Sequence, residues 1–430
     1  MTNIFSRRYE TMRAGPMGKL WVLMFAAFVD MVGALMVIPI LPFYARHLGA
    51  SATSLQLIVA SFSAAQLLSA PLWGRVSDRY GRKPMLLIGL SASVVSYILF
   101  AFAGTIWMLL LSRIIQGAGG GTVGVIQAYV ADAVEPKNRA KGLGWLSAAT
   151  NVGVVIGPVI GSYATYMGRP GPGLTAAVLC VLNMYFVYRF LPESHGQAAR
   201  DKSRSARSPL DLVLRVLAHP RDQASRLIWI YALAIGAFYS VNPLIVLLLG
   251  QRFGVTERTI GFYFLYIGFL NVVFRVGLLG RVIDRIGEVR SARLGALFLA
   301  TGLATVPLTH HFPLLLLCTG LLPLGASLTF PAVTGLLSQA VGDHERGSYM
   351  GVQQTYGGII RSGYPYIAGR LWDAYGVEMP FFTSAGLVAS TVLMTFGVQP
   401  RPRTAELPAR KAAAAEQGAE EQAEKPQAAR

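Results

Sequence analysis

The sequence predicts an all-α membrane protein of twelve transmembrane helices, arranged as two six-helix units. Three observations support this fold class: a high apolar content, a succession of apolar stretches that are long enough to cross a bilayer, and a charged pattern that occurs twice. Of the 430 residues, 53% are hydrophobic and only 14% are charged, whereas a soluble domain carries roughly 25% charged residues. The composition therefore excludes an ordinary soluble protein.

The apolar stretches recur along nearly the whole chain, and each approaches or exceeds the ~20 residues that a helix needs to cross the hydrocarbon core. They show no period-two alternation, which disfavours the strands of a membrane barrel. The predicted spans are residues 20–44, 54–73, 84–103, 106–131, 142–166, 174–191, 227–249, 259–279, 292–309, 313–341, 348–371 and 380–398. The first is too long for the core of a signal peptide, so we expect it to be retained.

The formal net charge of +17 could suggest a nucleic-acid-binding protein, but the positions of the basic residues argue against one. With the N-terminus inside, most Lys and Arg fall in cytoplasmic segments. The exceptions are Arg46, Arg169, Arg252 and Arg258 in outer loops and Arg113, Arg275, Arg361 and Arg370 within spans. This is the positive-inside bias of multi-pass proteins, and it predicts that both termini are cytoplasmic.

The longest internal polar segment separates the first six spans from the last six. We therefore predict a cytoplasmic N-terminus (1–19), an N-terminal six-helix bundle (20–191), a cytoplasmic linker (192–226), a C-terminal six-helix bundle (227–398) and a disordered cytoplasmic tail (399–430). The tail is rich in Ala, Glu, Gln, Pro and Arg and lacks an apolar face. The two cysteines lie in different halves and carry no disulfide or metal pattern.

A charged pattern lies between the second and third spans of each half. "GRVSDRYG" (74–81) and "GRVIDRIG" (280–287) are identical at six of eight positions. The shared residues that are candidates for a gate are Gly74, Arg75, Asp78, Arg79 and Gly81 in the first copy and Gly280, Arg281, Asp284, Arg285 and Gly287 in the second. Arg82, which follows the first copy, is a further candidate. The repeat indicates a duplicated unit, and transporters built from such repeats bind substrate where the repeats meet.

These charged loops are predicted to act as gates. Gly74 and Gly81 suit a tight turn. When the cavity faces outward, Asp78 is expected to contact the positive N-terminal end of the helix that begins near Gly347, and Arg79 is expected to reach toward Asp132. The alternative, ordinary positive-inside loop charge, is the simpler explanation for Arg82.

Three motifs carry a family resemblance. "GRVSDRYGRKP" resembles the signature loop of the major facilitator superfamily, and "LSRIIQGAGGG" (111–121), with Arg113 and Gly117, is similar to its fourth-helix motif. "NVGVVIGPVIG" (151–161) resembles the fifth-helix motif of drug–proton antiporters, with Ser162 where a second terminal glycine is usual. The first helix is similar to those of tetracycline exporters and vesicular amine exporters. The resemblance implies the major facilitator fold and multidrug efflux by proton-coupled antiport.

Asp30 is the only one of 21 acidic residues that lies deep inside an apolar span. A charge is costly in lipid, so an acidic residue at this position is a candidate functional group. Reversible protonation of its carboxyl group would suit proton coupling. At 1.5 Å per residue, Asp30 lies about 15 Å and Arg113 about 20 Å from the inner face, within reach of each other. The two form the predicted proton-coupling pair, although a purely structural role for either remains open.

Further polar residues within spans are candidates for the substrate cavity or for hydrogen bonds between helices: Gln66, Gln127, Tyr129, Tyr239, Asn242, Gln353, Tyr356 and Arg361. Gly153, Gly157 and Gly161 share one helix face that favours close packing, and Pro158 can kink that helix. The resemblance implies that this face packs against the eighth span. Gly157→Leu is then expected to be disruptive and Gly157→Ala much milder.

No metal, nucleotide or catalytic pattern is found, so we expect a protein that is not an enzyme, has no cofactor and uses an ion gradient. The expected partners are a small-molecule substrate, protons and the lipid bilayer, with no nucleic acid. We expect a monomer in a bacterial plasma membrane, the inner membrane. Two alternatives remain open: a transporter of the same fold for an anionic or zwitterionic metabolite, and a non-transporting membrane receptor or scaffold.

Overall fold

The structure is a computed structural model that describes residues 16–134, 138–193, 209–342 and 344–398. Every regular element in these ranges is helical. The segment before residue 16 and the tail predicted to be disordered lie outside the described residues. Within them, the helices form twelve spans, which are numbered here in chain order.

Spans 1 to 6 make up the first half. Their helices are Pro16–Val37 with Leu41–His47 (span 1), Ala52–Tyr80 (2), Arg82–Ala101 (3), Ile106–Gly119 with Thr122–Ala133 (4), Arg139–Ala164 (5) and Gly171–Phe190 (6). Spans 7 to 12 make up the second half. They are Gln223–Phe253 (7), Ile260–Ile286 (8), Glu288–Thr305 (9), Phe312–Ala340 (10), Arg346–Tyr375 (11) and Met379–Thr395 (12).

Ten of these spans are long and apolar enough to cross a membrane by themselves. The exceptions are span 12, which has 17 residues, and span 11, which contains Arg361, Arg370 and Asp373. Span 11 is nevertheless 30 residues long and packs extensively against spans 2 and 7. Arg361, near the middle of the span, is half-buried, whereas Arg370 and Asp373, near its far end, are exposed.

Several spans are interrupted where the sequence disfavours a regular helix. Span 1 breaks at residues 38–40, which include Pro39, and span 4 breaks at Gly120 and Gly121. Span 8 contains a π-helical turn, Phe274–Leu278. The chain between spans 6 and 7 also contains a helix that the sequence analysis did not predict, Pro209–Ala218, whose Leu212 and Val216 are buried against the second half.

The bundle has two ends. The linker end holds the connections between spans 2 and 3, 4 and 5, 6 and 7, 8 and 9, and 10 and 11; the far end holds the other connections. At the linker end, Gly81 (φ +103°) and Gly287 (φ +79°) form the tight turns. The prediction that Gly74 also belongs to the turn is wrong. Span 2 stays helical to Tyr80, because one left-handed glycine is sufficient to end it.

Span 5 packs tightly against span 1 through its three glycines. A Cβ atom would lie 2.7 Å from the Phe28 carbonyl oxygen at Gly153, and 2.9 Å from the Val32 carbonyl oxygen at Gly157. At Gly161 it would clash with the Met36 carbonyl oxygen. The implied packing of this face against span 8 is therefore wrong. Span 8 meets a different face, formed by Val155, Pro158 and Ser162, and supplies the glycines of that contact itself.

We predict that Gly157→Ala lowers the stability of the protein. The added methyl group would press on the Val32 carbonyl oxygen and also lie 3.0 Å from the Leu35 Cβ atom. Overpacking of this kind costs about 1–3 kcal/mol. The measurement is thermal unfolding of the purified protein. Gly144→Ala is the matched control on the same helix, because nothing lies within 4 Å of its new methyl group. Equal unfolding temperatures would contradict the close packing.

Candidate functional site

A cavity of about 490 Å³ lies between spans 2 and 4 of the first half and span 11 of the second. It extends from the middle of the bundle, at Ser63 and Arg361, to the linker end, at Ser77, Arg82 and Gly351. Its polar walls are formed by Ser63, Gln66, Ser77, Arg82, Gln354, Thr355 and Arg361, and Leu67, Ala70, Pro71 and Trp73 contribute apolar surface. The volume suits a drug-sized ligand.

Of the eight residues predicted to line the cavity, two do so: Gln66 and Arg361. Tyr239 lies behind the wall and is hydrogen-bonded to Ser63. The other five lie elsewhere: Gln127 beside Asp30, Tyr129 bonded to the Pro192 carbonyl, Asn242 to the Phe238 carbonyl, Gln353 to Thr334, and Tyr356 to the Val213 carbonyl. Hydrogen bonds with other parts of the protein satisfy most of these polar side chains, as the alternative interpretation expected.

Span 11 contributes cavity residues that the sequence analysis missed. Gly351, Gln354, Thr355, Gly358 and Arg361 line the cavity, and their spacing of three to four residues places them on one helix face. Gln353 and Tyr356 were chosen for their polarity alone, and they lie on another face. The helical spacing of the small and polar residues around Arg361 was the signal that would have identified this wall.

Arg361 is the sixteenth of the 30 residues of span 11, so it lies at the middle of the span. Its side chain is half-buried and lines the cavity. Within the described part of the chain, no carboxylate pairs with it and no protein group accepts a hydrogen bond from it. A cation therefore faces the cavity at mid-depth without a counter-ion.

Asp30 lies inside the first half, where Thr122 Oγ1 donates a hydrogen bond to its Oδ2 atom (3.1 Å). The break in span 4 starts a new helix at Thr122 and so positions this hydroxyl. Asp30 borders a small pocket of about 20 Å³ whose wall includes Val123, and Val123 also lines the main cavity. Such a pocket can hold a water molecule but no substrate.

The predicted pair of Asp30 with Arg113 is not formed in this conformation. The Arg113 side chain, only 2% exposed, stacks on the Phe100 ring at 5.4 Å, and its Nη2 atom lacks a hydrogen-bond partner. The hydrogen bond from Thr122 occupies the carboxyl group of Asp30 instead. Two residues can lie at similar depths in the membrane on neighbouring helices while their side chains point in different directions.

At the linker end, Arg82 connects two carboxylates. Its Nη1 atom lies 2.7 Å from Asp78 Oδ1, and its Nε atom lies 3.2 Å from Asp132 Oδ2. In this conformation Arg79 does not reach Asp132 and lies on the Tyr80 ring at 5.4 Å instead. Asp78 pairs within its own half and not with the start of span 11. The remaining arginines of the two patterns, Arg75, Arg281 and Arg285, and also Asp284, are exposed at this end.

Glu193, after span 6, supports the same corner of the first half. Its carboxylate accepts hydrogen bonds from the backbone N–H groups of Arg82 (2.9 Å) and Lys83 (3.2 Å) at the start of span 3. A carboxylate at a helix N-terminus is stabilised by unpaired N–H groups and by the helix dipole. The turn at Gly81 is thus held by contacts within one half.

At the far end, the two halves cap each other's helices. Asp373 of span 11 accepts hydrogen bonds from the backbone N–H groups of Ala52 (3.1 Å) and Thr53 (2.9 Å), which begin span 2. Ser162 of span 5 accepts one from the backbone N–H group of Gly261 (2.8 Å), the second residue of span 8. Asp373 and Ser162 each lie two residues before the end of their helices. The two contacts are related by the internal repeat.

A glycine allows the close approach at each of these contacts. A Cβ atom on Gly369 would lie 2.7 Å from the Thr53 Cα atom, and one on Gly261 would lie 2.8 Å from Ser162 Oγ. Nearby, Gln56 of span 2 donates a buried hydrogen bond to the Ser240 carbonyl of span 7 (2.6 Å). Together these contacts close the far end of the cavity.

The Major Facilitator Superfamily model matches residues 23–362 and, in a second overlapping match, 227–427. The chain belongs to the Major Facilitator Superfamily. The predicted fold class of twelve helices in two halves is thereby confirmed, and the protein is a transporter and not an enzyme.

Relatives of this superfamily member include proteins named for drug resistance. It is 30% identical to multidrug resistance protein 1 of Bacillus subtilis over 378 residues, which cover 87% of this chain and 95% of the relative. It is 27% identical to the class B tetracycline resistance protein of Escherichia coli over 331 residues, 75% of this chain and 81% of the relative. The predicted resemblance to the drug-exporter branch is confirmed.

Solved structures show the same fold. The human organic anion transporter MFSD10 superposes with a TM-score of 0.64 at 24% identity, covering 87% of this chain and 98% of that chain. A D-xylose–proton symporter superposes with a TM-score of 0.71 at 15% identity, covering 89% and 97%. The fold therefore accommodates unrelated substrates, and the residues that line the cavity determine which substrate this superfamily member binds.

We predict that Asp373→Asn loosens the far end. An exposed carboxylate at a helix N-terminus is worth about 0.3–1 kcal/mol, so the open population should rise about 2–5-fold. The measurement is maleimide labelling of a cysteine at Leu55, which is 2% exposed, after replacement of Cys180 and Cys318. Glu378→Gln, at the same end but with no cap hydrogen bond from its side chain, is the matched control. Unchanged labelling of the Asp373 variant would contradict the role of this cap.

Proposed function

We propose that the protein is a proton-coupled antiporter that exports amphiphilic, drug-like small molecules by alternating access. The observation that carries the proposal is the drug-sized cavity between the two halves, closed at the far end and continuous with the linker end. The names of the relatives, multidrug resistance protein 1 and the class B tetracycline resistance protein, support export of drug-like molecules.

The linker end is the cytoplasmic end in this proposal. The positive-inside bias supports that orientation, with both termini in the cytoplasm. In this proposal the chain works as a monomer in a bacterial plasma membrane. The cavity then receives substrate from the cytoplasm or the inner leaflet. Release outside requires the far-end caps at Asp373 and Ser162 to break and the linker end to close.

Asp30 is the proton-coupling group of the proposal. It is a carboxyl within a span, it borders a water-sized pocket, and Val123 lines both that pocket and the cavity. A proton that enters from the outside neutralises the carboxyl group, and its release to the cytoplasm restores the charge. Because the Thr122 hydroxyl is placed by the break in span 4, a change in the charge of Asp30 acts directly on a helix that lines the cavity.

The gating proposal for the linker end follows from the same geometry. Asp78 is 66% exposed at its side chain and bound to Arg82 while the cavity reaches this end. When the cavity faces outward, Asp78 caps the start of span 11 near Gly347, in the same way that Asp373 caps the start of span 2 here. During transport, spans 2 and 11 thus form a carboxylate cap at one end and break the equivalent cap at the other end.

We predict that Asp30→Asn abolishes accumulation of substrate that is driven by a pH gradient while downhill exchange persists. The amide keeps the size and the hydrogen bond from Thr122 but cannot carry a proton. The measurement is uptake into inside-out vesicles with an acidic lumen, using a panel of amphiphilic dyes. Asp211→Asn, on the exposed side of the linker helix, is the charge-matched control. An Asp30→Asn protein that still concentrates a dye against its gradient would refute the coupling role.

A further inference from the structure

We infer that the transported molecule is an amphiphilic organic anion whose negative charge is held by Arg361. This inference rests on the proposed function, because it names the substrate class of the same cavity. It starts from the balance of charge around that cavity, which differs from what an exporter of organic cations would need.

Among the described residues that line the cavity, the charged ones are Arg82 and Arg361, and none is acidic. The charge of Arg82 is already balanced, because that side chain lies between Asp78 and Asp132 at the cytoplasmic mouth. Arg361 has no such balance in the described part of the chain. The charge available to a ligand at the centre of the cavity is therefore positive.

An arginine at mid-depth of a membrane span is costly unless it is paired or faces water. The absence of a protein counter-ion means that the pairing position is open to a ligand. The guanidinium group presents a planar fork of donors that matches a carboxylate or sulfonate and binds it through two parallel hydrogen bonds. Arg361 thus has the chemistry of an anion-binding group in a place that a substrate can reach.

A second buried cation strengthens this electrostatic preference. Tyr239, which is hydrogen-bonded to Ser63 of the cavity wall, lies within electrostatic range of both Arg361 and Arg113. The Arg113 side chain is also without a carboxylate partner and has an unsatisfied Nη2 atom. Asp30, the one acid nearby, lies behind Val123 and is bonded to Thr122. An organic cation in the cavity would meet the like charge of Arg361 at the wall, whereas no acidic residue lines the cavity among the described residues.

The rest of the cavity wall indicates the chemistry of the uncharged part of the ligand. Leu67, Ala70, Pro71 and Trp73 of span 2 offer apolar surface, and the indole Nε1 atom of Trp73 is fixed by donating to the Ala118 carbonyl (2.5 Å). Gln66 and Gln354 supply neutral hydrogen-bonding groups. An apolar body with one acidic group meets each of these surfaces, whereas a small hydrophilic anion would leave the apolar wall unused.

The test compares two xanthene dyes of similar size and opposite charge, fluorescein and rhodamine 123. Binding is measured by fluorescence polarisation on the purified protein in nanodiscs of zwitterionic lipid, so that neither the lipid charge nor proton coupling affects the result. The wild-type protein should bind fluorescein more tightly. Arg361→Gln should weaken fluorescein binding by about 10–100-fold, as expected for loss of a charged hydrogen-bonding group. Arg361→Lys, which keeps the charge, should restore part of it.

Arg275→Gln is the matched control, since it removes the same charge from a span at an exposed position that does not line the cavity. It should leave fluorescein binding unchanged. Equal or tighter binding of rhodamine 123, binding of neither dye, or an Arg361→Gln protein with unchanged affinity for fluorescein would each overturn the inference. Gradient-driven uptake of the same dyes into vesicles tests the proposed function separately, since a protein can bind the anion without coupling its movement to protons.

Discussion

The cavity exists in its present form because helix N-termini at the far end are capped from the opposite half. The first N–H groups of spans 2 and 8 have no partner within their own helices, and Asp373 and Ser162 satisfy them across the interface. The cap positions in spans 11 and 5 correspond through the repeat, so the two halves close symmetrically. Ser162, a departure from the usual family glycine, supplies the hydroxyl group of one cap. Opening this end exposes those N–H groups, which must then find water or lipid-side partners.

Among the described residues, the charged ones inside the bundle lie in separate places and do not pair with one another. Asp30 lies in the first half beside a water-sized pocket, Arg113 stacks on Phe100, and Arg361 faces the cavity. A proton site that is separate from the substrate site can couple to it only through a helix that both share, and span 4 fills that position. Export of an anion in exchange for an entering proton also moves charge in one direction, so an inside-negative membrane potential of 100 mV would add about 2.3 kcal/mol per charge moved.

The sequence predicted the number of spans, the two halves and the repeat, because membrane helices leave long apolar runs and duplication leaves identical residues. It also indicated Asp30, Gln66 and Arg361. It did not predict which polar face of span 11 meets the cavity, because Gln353 and Gln354 are equally polar and only the helix phase separates them. The choice of Arg82 over Arg79 as the partner of Asp132 likewise depends on where span 2 ends. The caps at Asp373 and Ser162 depend on contacts between halves that no local pattern records.

The central claim is that the two ends of spans 2 and 11 open and close reciprocally. Double electron–electron resonance between spin labels at Ser54 and Tyr375 reports the far end, and labels at Tyr80 and Gly347 report the linker end. Each pair is measured across pH 5 to 8, with and without a bound dye. The account predicts two populations, in which the far-end distance lengthens as the linker-end distance shortens. Distances that stay fixed in both pairs, or that lengthen together, would contradict it.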